Sequence, residues 1–229
     1  MRAGAVIVAA GSGRRLGAGG PKALVRVAGL PLVTWSVRAL EEAPEVGPIV
    51  VACPPGMERE TAAAVGIHGT VHAIVPGGAS RQRSVAAGLA ALPAHLDAIL
   101  VHDAARPLIS PALVSRLVAR LSAQQAVIAA APVPDTLKRA DADLRVQATV
   151  DRAGLWGAQT PQAFRADVLR AVFADAAPDE LDSATDCAGM AERRGIPVLL
   201  MDPGIPNPKV TTPSDLRLVE ALLGAGRIA

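Results

Sequence analysis

The sequence predicts an α/β fold with a mostly parallel sheet that is covered by helices. Short apolar runs alternate along the chain with longer segments of helical period, as expected for strands joined by crossover helices. The chain has 229 residues, of which 51% are hydrophobic, so it can bury one large core. We therefore expect a single domain over residues 1–229.

The strands are predicted from short apolar runs that end at turn-forming residues. Aromatic residues make up only 2% of the chain and tyrosine is absent, so alanine, valine and leucine must build the core of the sheet. In chain order the predicted strands cover Gly4–Ala10, Pro48–Cys53, Thr70–Val75, Ala98–His102, Ala126–Pro132 and Pro197–Met201.

Helices are predicted where apolar residues recur with helical period. Two helix starts are well marked, because Ser110-Pro111 and Thr212-Pro213 each place a capping hydroxyl before a proline at the first helical position. The predicted helices cover Leu32–Glu42, Glu58–Val65, Ser80–Ala91, Pro111–Leu121, Ala166–Ala176, Thr185–Arg194 and Pro213–Leu223.

One segment breaks the alternation of strands and helices. Between about residues 135 and 159 the sequence predicts two short extended pieces, Thr136–Arg139 and Val146–Val150, around a polar turn at Ala140–Leu144. A hairpin with so little apolar surface is marginal in water by itself. We therefore expect it to protrude as an arm and to pack on a second copy of the chain.

Charge and cysteine content exclude several classes of protein. The formal net charge is +2 and no run of basic residues is present, which argues against a nucleic-acid surface. No apolar run approaches the ~18–20 residues of a membrane span. Cys53 and Cys187 have neither metal-ligand spacing nor a disulfide framework, so we expect a protein of the reducing cytoplasm.

The loop after the first predicted strand is the most informative stretch of the chain. Its sequence is Ala9-Ala10-Gly11-Ser12-Gly13-Arg14-Arg15-Leu16-Gly17, and Pro21-Lys22 follows shortly after. Glycines let backbone N–H groups approach a ligand closely, and arginine and lysine add positive charge at the same place. We interpret this stretch as a loop that wraps a polyphosphate.

Residue spacing argues against two related phosphate-binding loops. A Walker A loop needs a hydroxyl residue directly after its lysine, but Ala23 follows Lys22. The dinucleotide fingerprint needs three glycines at fixed spacing and an acidic residue at the end of the second strand. Gly17 comes one residue late and the predicted second strand ends at Cys53, so a nicotinamide oxidoreductase is disfavoured.

The motif His102-Asp103-Ala104-Ala105-Arg106-Pro107 comes at the end of the fourth predicted strand. In open α/β sheets ligands bind outside the carboxyl ends of strands. A carboxylate at this position can hold magnesium or a sugar hydroxyl, and an arginine three residues later can bind a phosphate through two hydrogen bonds. The alternative is an Asp–Arg pair that only ties the loop.

The motif Gly77-Gly78-Ala79-Ser80-Arg81-Gln82-Arg83-Ser84-Val85 follows the third predicted strand and opens a helix. Its two glycines expose backbone donors and acceptors, and Ser80 or Ser84 can hydrogen-bond a base or a sugar. An ordinary Gly-Gly turn with a serine cap is an equal alternative on spacing alone.

In their order along the chain, these motifs resemble one family, the 2-C-methyl-D-erythritol 4-phosphate cytidylyltransferases of the non-mevalonate isoprenoid route. The resemblance spans residues 9 to 215. Its motifs are Ala9-Ala10-Gly11-x-Gly13-Arg14-Arg15 with Pro21-Lys22, Gly77-Gly78-x-x-Arg81-x-x-Ser84-Val85, His102-Asp103-Ala104-Ala105-Arg106-Pro107, Asp135-Thr136-Leu137-Lys138, Asp151-Arg152-x-x-Leu155-Trp156, Gln159-Thr160-Pro161-Gln162 and Asn207-x-Lys209-Val210-Thr211.

This resemblance implies a Rossmann-like nucleotidyltransferase fold with helices on both faces of the sheet, and a homodimer joined through the hairpin arm. It implies CTP and a polyol phosphate as substrates and Mg²⁺ as cofactor. The polyol phosphate would attack the α-phosphorus of CTP and release pyrophosphate. No nucleic-acid or membrane partner is expected.

The resemblance also implies roles for individual residues. Arg15 and Lys22 would be the catalytic pair that grips the triphosphate. Asp103 would be a metal ligand, with most of the Mg²⁺ ligands coming from the CTP phosphates. CTP would contact Ala9, Ala10, Gly11, Gly13, Gly77, Gly78, Ser84, Asp103 and Ala104. The polyol phosphate would be positioned by Arg106, Thr185 and Lys209, and by Thr136 and Arg152 from the arm of the other subunit.

Two other functions stay open on the sequence alone. A cytidylyltransferase for ribitol 5-phosphate shares much of this motif set. A non-catalytic nucleotide-sensing domain on the same fold is disfavoured, because the chain retains both Arg15 and Lys22.

Overall fold

A seven-stranded, mostly parallel sheet forms the centre of the computed structural model, which describes residues 1–13, 16–17, 19–66 and 68–225. The strands found in these residues are β1 (Ala3–Val8), β2 (Arg26–Val27), β3 (Leu30–Pro31), β4 (Val46–Cys53), β5 (Val71–Pro76), β6 (Ala98–Asp103), β7 (Ala126–Pro132), β8 (Leu137–Ala140), β9 (Val146–Val150), β10 (Trp156–Arg165) and β11 (Val198–Met201).

The sheet order is β11-β7-β10-β6-β1-β4-β5. Its pairs are parallel except those of β10, which runs antiparallel to both β6 and β7. β1 therefore lies at the centre, between β4 and β6, and the carboxyl ends of β1 and β6 meet at one edge of the sheet. This edge is the place where open α/β sheets bind ligands.

Helices join the strands largely as predicted. The helix starts at Ser110 and Thr212 are confirmed, because each hydroxyl oxygen accepts a backbone hydrogen bond, from Leu113 N at 3.2 Å and from Asp215 N at 3.3 Å. The helices in the described part of the chain are α1 (Leu32–Glu41), α2 (Glu58–Val65), α3 (Arg81–Ala91), α4 (Pro111–Arg120), α5 (Ala166–Ala174), α6 (Pro178–Ser183), α7 (Cys187–Glu192) and α8 (Pro213–Gly224), and a 3₁₀ turn covers Lys22–Leu24.

Both faces of the sheet are buried under helices. Ile7 faces one core, which α1 and α4 cover, while the next residue toward the N-terminus, Val6, faces the other core under α3, α5 and α7. Successive side chains of a strand point to opposite faces, so the continuous apolar run of β1 fills both cores. The prediction of helices on both faces is confirmed.

A third, smaller apolar cluster lies beside the ligand-binding edge. It joins Leu16, Leu108, Val210 and Val219, among others, and thereby packs α8 against three of the loops at that edge. Because these loops come from distant parts of the sequence, their relative positions depend on this cluster.

The structure contains one central strand that the sequence did not predict. β10 places Trp156–Ala158 opposite residues 130–132 of β7 and Gln162–Arg165 opposite residues 98–101 of β6. Its first residues therefore belong to the main sheet, although the arm was expected to extend to about residue 159. Gly157, Pro161 and three polar residues interrupt the apolar alternation that would have marked it as a strand.

The hairpin arm is present and lies on the outside of the fold. Its strands β8 and β9 pair antiparallel, with Leu137 opposite Val150, close to the predicted bounds. Most of its side chains are exposed, including Leu144 and Val146. Within the part of the chain that the structure describes, no helix combines the length and the apolar character needed to span a bilayer.

Candidate active site

A cleft of about 420 Å³ opens at the carboxyl ends of β1 and β6, beside the start of α3. Loops that are far apart in the sequence form its walls. They are residues 8–12, residues 22–23, residues 78–81 with Ser84, residues 103–105 and Lys209. The cleft therefore collects most of the motifs on which the sequence analysis depends.

The first wall is the glycine-rich loop after β1. Ala9 N donates to Ala52 O at 2.8 Å, which fixes the loop to β4, and Lys22 N donates to Gly11 O at 3.3 Å. Gly13 has a φ of +68°, and a Cβ atom there would lie 3.0 Å from both Gly20 O and Lys22 N. A side chain at Gly13 would thus push Lys22 away from the cleft.

One predicted residue in the described part of this loop is not part of the wall. Gly13 itself does not line the cleft; it shapes the turn that brings Lys22 back to Gly11. Arg15 lies outside the described residues, so its predicted role stays a prediction.

The second wall is the Gly-Gly loop that opens α3. Gly78 N donates to Ser84 Oγ at 3.1 Å, and Ser84 Oγ donates to Ser80 O at 3.0 Å. Gly77 lies behind this wall: a Cβ atom there would lie 2.6 Å from the Ala10 Cβ and 2.8 Å from Ser84 Oγ. Glycine at position 77 therefore lets the two loops approach each other.

Ser80 provides the helix cap that was the simpler interpretation of this motif. Its Oγ accepts from Arg83 N at 3.1 Å and donates to Leu181 O at 2.6 Å. Ser80 also lines the cleft, as do Gly78 and Ser84. The cap and a ligand-facing wall are thus combined in one loop.

The floor of the cleft contains Asp103, held by two cationic side chains. Arg81 places Nε and Nη2 3.0 Å from Asp103 Oδ1, and Lys209 Nζ lies 2.5 Å from Oδ2. Burial raises the pKa of Asp103, but the charges of Arg81 and Lys209 outweigh this effect and hold the pKa well below its usual range. Asp103 is therefore ionised at neutral pH.

Arg81 is a cleft residue to which the sequence analysis gave no role. Burial alone would lower the pKa of its guanidinium, but the adjacent Asp103 carboxylate raises it overall, so the side chain stays charged. The signal in the sequence that could have identified Arg81 was its position within the Gly-Gly motif. Its pairing with Asp103 could be found only from the sheet order, since α3 packs on β1 and β6 is the next strand beside β1.

Arg106 lies next to the cleft rather than on its wall. Its Nη1 donates to Asn207 O at 2.6 Å, while its buried Nε has no hydrogen-bond partner in the structure. Burial lowers the pKa of this guanidinium from its ordinary value. The alternative of a simple Asp103–Arg106 tie is not seen, because Asp103 bonds to Arg81 and Lys209 instead.

Three of the predicted positioning residues do not line this cleft within the single chain. Thr136 and Arg152 flank the same end of the hairpin arm, since Leu137 is opposite Val150, and both are exposed. Thr185 is also exposed and directly precedes Asp186, whose Oδ1 accepts from Gly189 N at 2.9 Å to cap α7. The remaining predicted residues that line the cleft are Ala9, Ala10, Gly11, Lys22, Gly78, Ser84, Asp103, Ala104 and Lys209.

The charge of the cleft indicates which ligands it can hold. Among the described lining residues, Lys22, Arg81 and Lys209 are cationic and Asp103 is the one carboxylate. Exposed backbone at Ala10–Gly11 and Gly78 adds hydrogen-bond groups beside these cations. The cleft is thus suited to an elongated polyanion with a polar end.

The chain is similar to known proteins over nearly its whole length. The model of the family 2-C-methyl-D-erythritol 4-phosphate cytidylyltransferase matches residues 3–225. A protein of that name from Nocardia farcinica is 48% identical over 222 residues, which cover 96% of this chain and 93% of the relative. Another, from Parasynechococcus marenigrum, is 43% identical over 221 residues, which cover 95% of this chain and 96% of the relative.

A solved structure has the same architecture. The crystal structure of 4-diphosphocytidyl-2C-methyl-D-erythritol synthase from Anaerococcus prevotii superposes with a TM-score of 0.82 at 27% sequence identity. The superposition covers 97% of this chain and 96% of that chain. From this match and the relatives' identities, the chain belongs to the 2-C-methyl-D-erythritol 4-phosphate cytidylyltransferase family.

Proposed function

We propose that the protein transfers the cytidylyl group of CTP to 2-C-methyl-D-erythritol 4-phosphate in non-mevalonate isoprenoid synthesis. The products are CDP-methylerythritol and pyrophosphate. The observation that carries this proposal is the cleft of Lys22, Arg81, Lys209 and Asp103 at the carboxyl ends of β1 and β6, in a chain that belongs to this family.

The reaction forms one bond and breaks one bond. A phosphate oxygen of the polyol phosphate attacks the α-phosphorus of CTP, and the bond between the α-phosphorus and its bridging oxygen breaks as pyrophosphate leaves. A phosphate monoester is mostly a dianion at pH 7, so the nucleophile needs no general base. The main demand on the protein is to bring two anions together in line.

The cleft meets this demand with fixed positive charge. Lys22 lies beside the glycine-rich loop, where the triphosphate is expected, and the sequence motif adds Arg15 to the same function. A lysine ammonium can contact a single phosphate oxygen in a tight loop. Because these positive groups are already in place, they stabilise the charge that develops on the phosphoryl oxygens and do not have to move during the reaction.

The nucleoside end of CTP is assigned to the opposite wall. Gly78 offers backbone groups, and Ser84 offers a hydroxyl whose position is fixed by Gly78 N and Ser80 O. Asp103 and Ala104 close the floor between this wall and the glycine-rich loop. This arrangement supports CTP as the nucleotide, with its base toward α3 and its phosphates toward Lys22.

Mg²⁺ fits the cleft as a partner of the CTP phosphates. Within the described residues no cluster of three or more histidine, cysteine, aspartate or glutamate side chains is placed to hold a metal. Mg²⁺ is often held by one carboxylate together with substrate phosphates and water. Within the described residues, the hydrogen bond that Asp103 Oδ2 accepts comes from Lys209, which leaves a second lone pair for such an ion. When bound, Mg²⁺ would neutralise charge on the triphosphate.

The phosphate of the second substrate is assigned to Arg106, Lys209 and Thr185. We further propose a homodimer in which Thr136 and Arg152 of the partner subunit complete this part of the site. The exposed arm supports this arrangement, because its apolar residues have little to pack on within one chain. We also place the protein in the cytoplasm, since both cysteines are unpaired and buried.

Phosphorus NMR of the purified protein tests the proposal directly. CTP, Mg²⁺ and methylerythritol phosphate together should give pyrophosphate and a CDP-linked product, and omission of either Mg²⁺ or the polyol phosphate should stop the reaction. Turnover with ribitol 5-phosphate but not with methylerythritol phosphate would overturn the substrate assignment. Binding of CTP without turnover of either substrate would favour a nucleotide-sensing protein.

A further inference from the structure

A buried histidine lies directly beneath the cleft and has no place in the chemistry described above. His102 is the penultimate residue of β6 and has no solvent exposure. One ring nitrogen, Nδ1, lies 3.0 Å from Thr160 Oγ1, and the other, Nε2, lies 3.1 Å from Arg106 O. The ring therefore connects β10 to the turn that follows β6.

These contacts determine where the ring carries its hydrogen. A carbonyl oxygen can only accept, so Nε2 must donate to Arg106 O. Thr160 Oγ1 already accepts from Asp103 N at 3.1 Å, which leaves its hydroxyl hydrogen free to donate to Nδ1. The hydrogen bonds thus form a relay that runs in one direction, from Asp103 N through Thr160 and His102 to Arg106 O.

The two contacts of the ring require only one ring hydrogen, since Nε2 donates to Arg106 O and Nδ1 accepts from the Thr160 hydroxyl. A neutral ring with its hydrogen on Nε2 is the state that satisfies all four groups of the relay.

The relay lies where β6 is no longer paired with β10, although β6 is still paired with β1. The ladder between β6 and β10 ends at the pair Val101 and Gln162, so the Asp103 N–H has no backbone partner on β10. The Thr160 hydroxyl takes that N–H in place of a backbone carbonyl. His102 then fixes the far side of the turn, in which Arg106 N donates to Asp103 O at 2.9 Å.

We propose that His102 is a positioning residue that, as its Nε2–H tautomer, sets the turn that presents Arg106 to the polyol phosphate. This inference rests on the proposed function for its substrate. Both backbone groups of Arg106 are fixed, its N–H by Asp103 and its carbonyl by His102, so the side chain extends from a fixed backbone position. Asn207 O then holds the far end of the same side chain.

Two substitutions separate the halves of the relay. Gln at position 102 can place an amide donor where Nε2 was, and Asn can place an acceptor where Nδ1 was. We expect His102→Asn to raise the KM for methylerythritol phosphate about tenfold, as for a lost hydrogen bond, and His102→Gln to stay within about threefold of the unsubstituted enzyme. The KM for CTP should change less than about twofold in both, because Arg81 and Lys209 hold the Asp103 carboxylate and the two glycine-rich walls are anchored elsewhere. His95→Asn, an exposed histidine outside the cleft, is the matched control and should change nothing.

Nitrogen NMR of the unsubstituted enzyme tests the same inference without substrate or substitution. At pH 7 the buried ring should show one nitrogen that bears hydrogen, Nε2, and one bare nitrogen. Hydrogen on Nδ1, or equal effects of the two substitutions on both KM values, would overturn the inference. Absence of turnover in the unsubstituted enzyme would overturn the proposed function instead, and the NMR result would still decide the tautomer.

Discussion

Lys209 Nζ lies 2.5 Å from Asp103 Oδ2, although 106 positions separate the two residues in the chain. Arg81 occupies the other oxygen of the same carboxylate from the start of α3. Three loops of the cleft therefore meet at one buried negative charge. This meeting point explains why the cleft keeps its shape even though its walls come from distant segments.

Removal of Arg81 should destabilise the fold. Asp103 is almost fully buried, and breaking one side of a buried ion pair leaves a charge that is poorly compensated. We expect Arg81→Met to lower the free energy of unfolding by about 3 kcal/mol in a urea titration. In a double-mutant cycle with Asp103→Asn the two effects should be strongly non-additive. Additive effects would show that the pair is not coupled in solution.

Lys22 should be needed for turnover. Removal of a group that stabilises transition-state charge typically costs two to three orders of magnitude in rate. We expect Lys22→Ala to lower kcat by at least ~100-fold, and Arg15→Ala to do the same by the sequence motif. Arg120→Ala, at the exposed end of α4, is the control. A Lys22→Ala enzyme with near-normal turnover would remove this lysine from the mechanism.

A methyl group at Gly77 should impair CTP binding. The added Cβ would lie 2.6 Å from the Ala10 Cβ and 2.8 Å from Ser84 Oγ, so the two loops of the cleft would have to move apart. We expect Gly77→Ala to raise the KM for CTP by at least ~10-fold, at a cost of about 1–3 kcal/mol in stability. Gly69→Ala is the matched control, because no atom lies within 4 Å of its added Cβ. Similar kinetics in both variants would contradict the tight approach.

The sequence predicted best the elements that carry strong local signals. The helices after Ser110 and Thr212 begin where capping residues and prolines predicted them, and β1 is a continuous apolar run. These signals depend on neighbours in the chain, so they can be read without a structure.

β10 was missed because its burial depends on side-chain partners from elsewhere. Its polar residue Gln162 is buried because its amide donates to Asp186 Oδ2 at 2.7 Å and accepts from Cys187 N at 3.1 Å. Thr160 is buried through its bonds to Asp103 N and His102. Polar residues with such partners break the apolar alternation that predicts a strand.

The sequence motifs identified residues of the candidate site, but they did not show which of its charged residues form ion pairs. Lys22, Asp103 and Lys209 were chosen from residue type and order, and all three line the cleft. That Arg81 shares Asp103 with Lys209 follows only from the sheet order, which no local pattern contains.

The arm should hold the proposed dimer together. Leu144 and Val146 are 86% and 62% exposed within one chain, and no described side chain of the same chain covers them. We expect the double substitution Leu144→Asp and Val146→Asp to produce monomers in sedimentation experiments and to raise the KM for the polyol phosphate. Leu218→Asp, an equally drastic change on exposed α8, should leave the sedimentation unchanged. If the unsubstituted protein sediments as a monomer, the proposal that the arm forms a dimer is wrong.

Asp215 should make the stability of the protein depend on pH on the acid side. Its carboxylate accepts from Thr211 Oγ1 at 2.6 Å and from Thr212 N at 2.8 Å, and the Thr211 hydrogen bond lowers its pKa to about 2. The unfolded chain binds its proton near pH 4, so the contribution is complete above that pH and is lost as the pH falls toward 2. Asp215→Asn should therefore lower the free energy of unfolding by about 1 kcal/mol at pH 7 in a urea titration, and by less with each step below pH 4.

Asp167→Asn, on an exposed helix start, is the control and should show no such difference. A constant gap between Asp215→Asn and the unsubstituted protein from pH 7 to pH 3 would mean that the cap acts through geometry and not through charge.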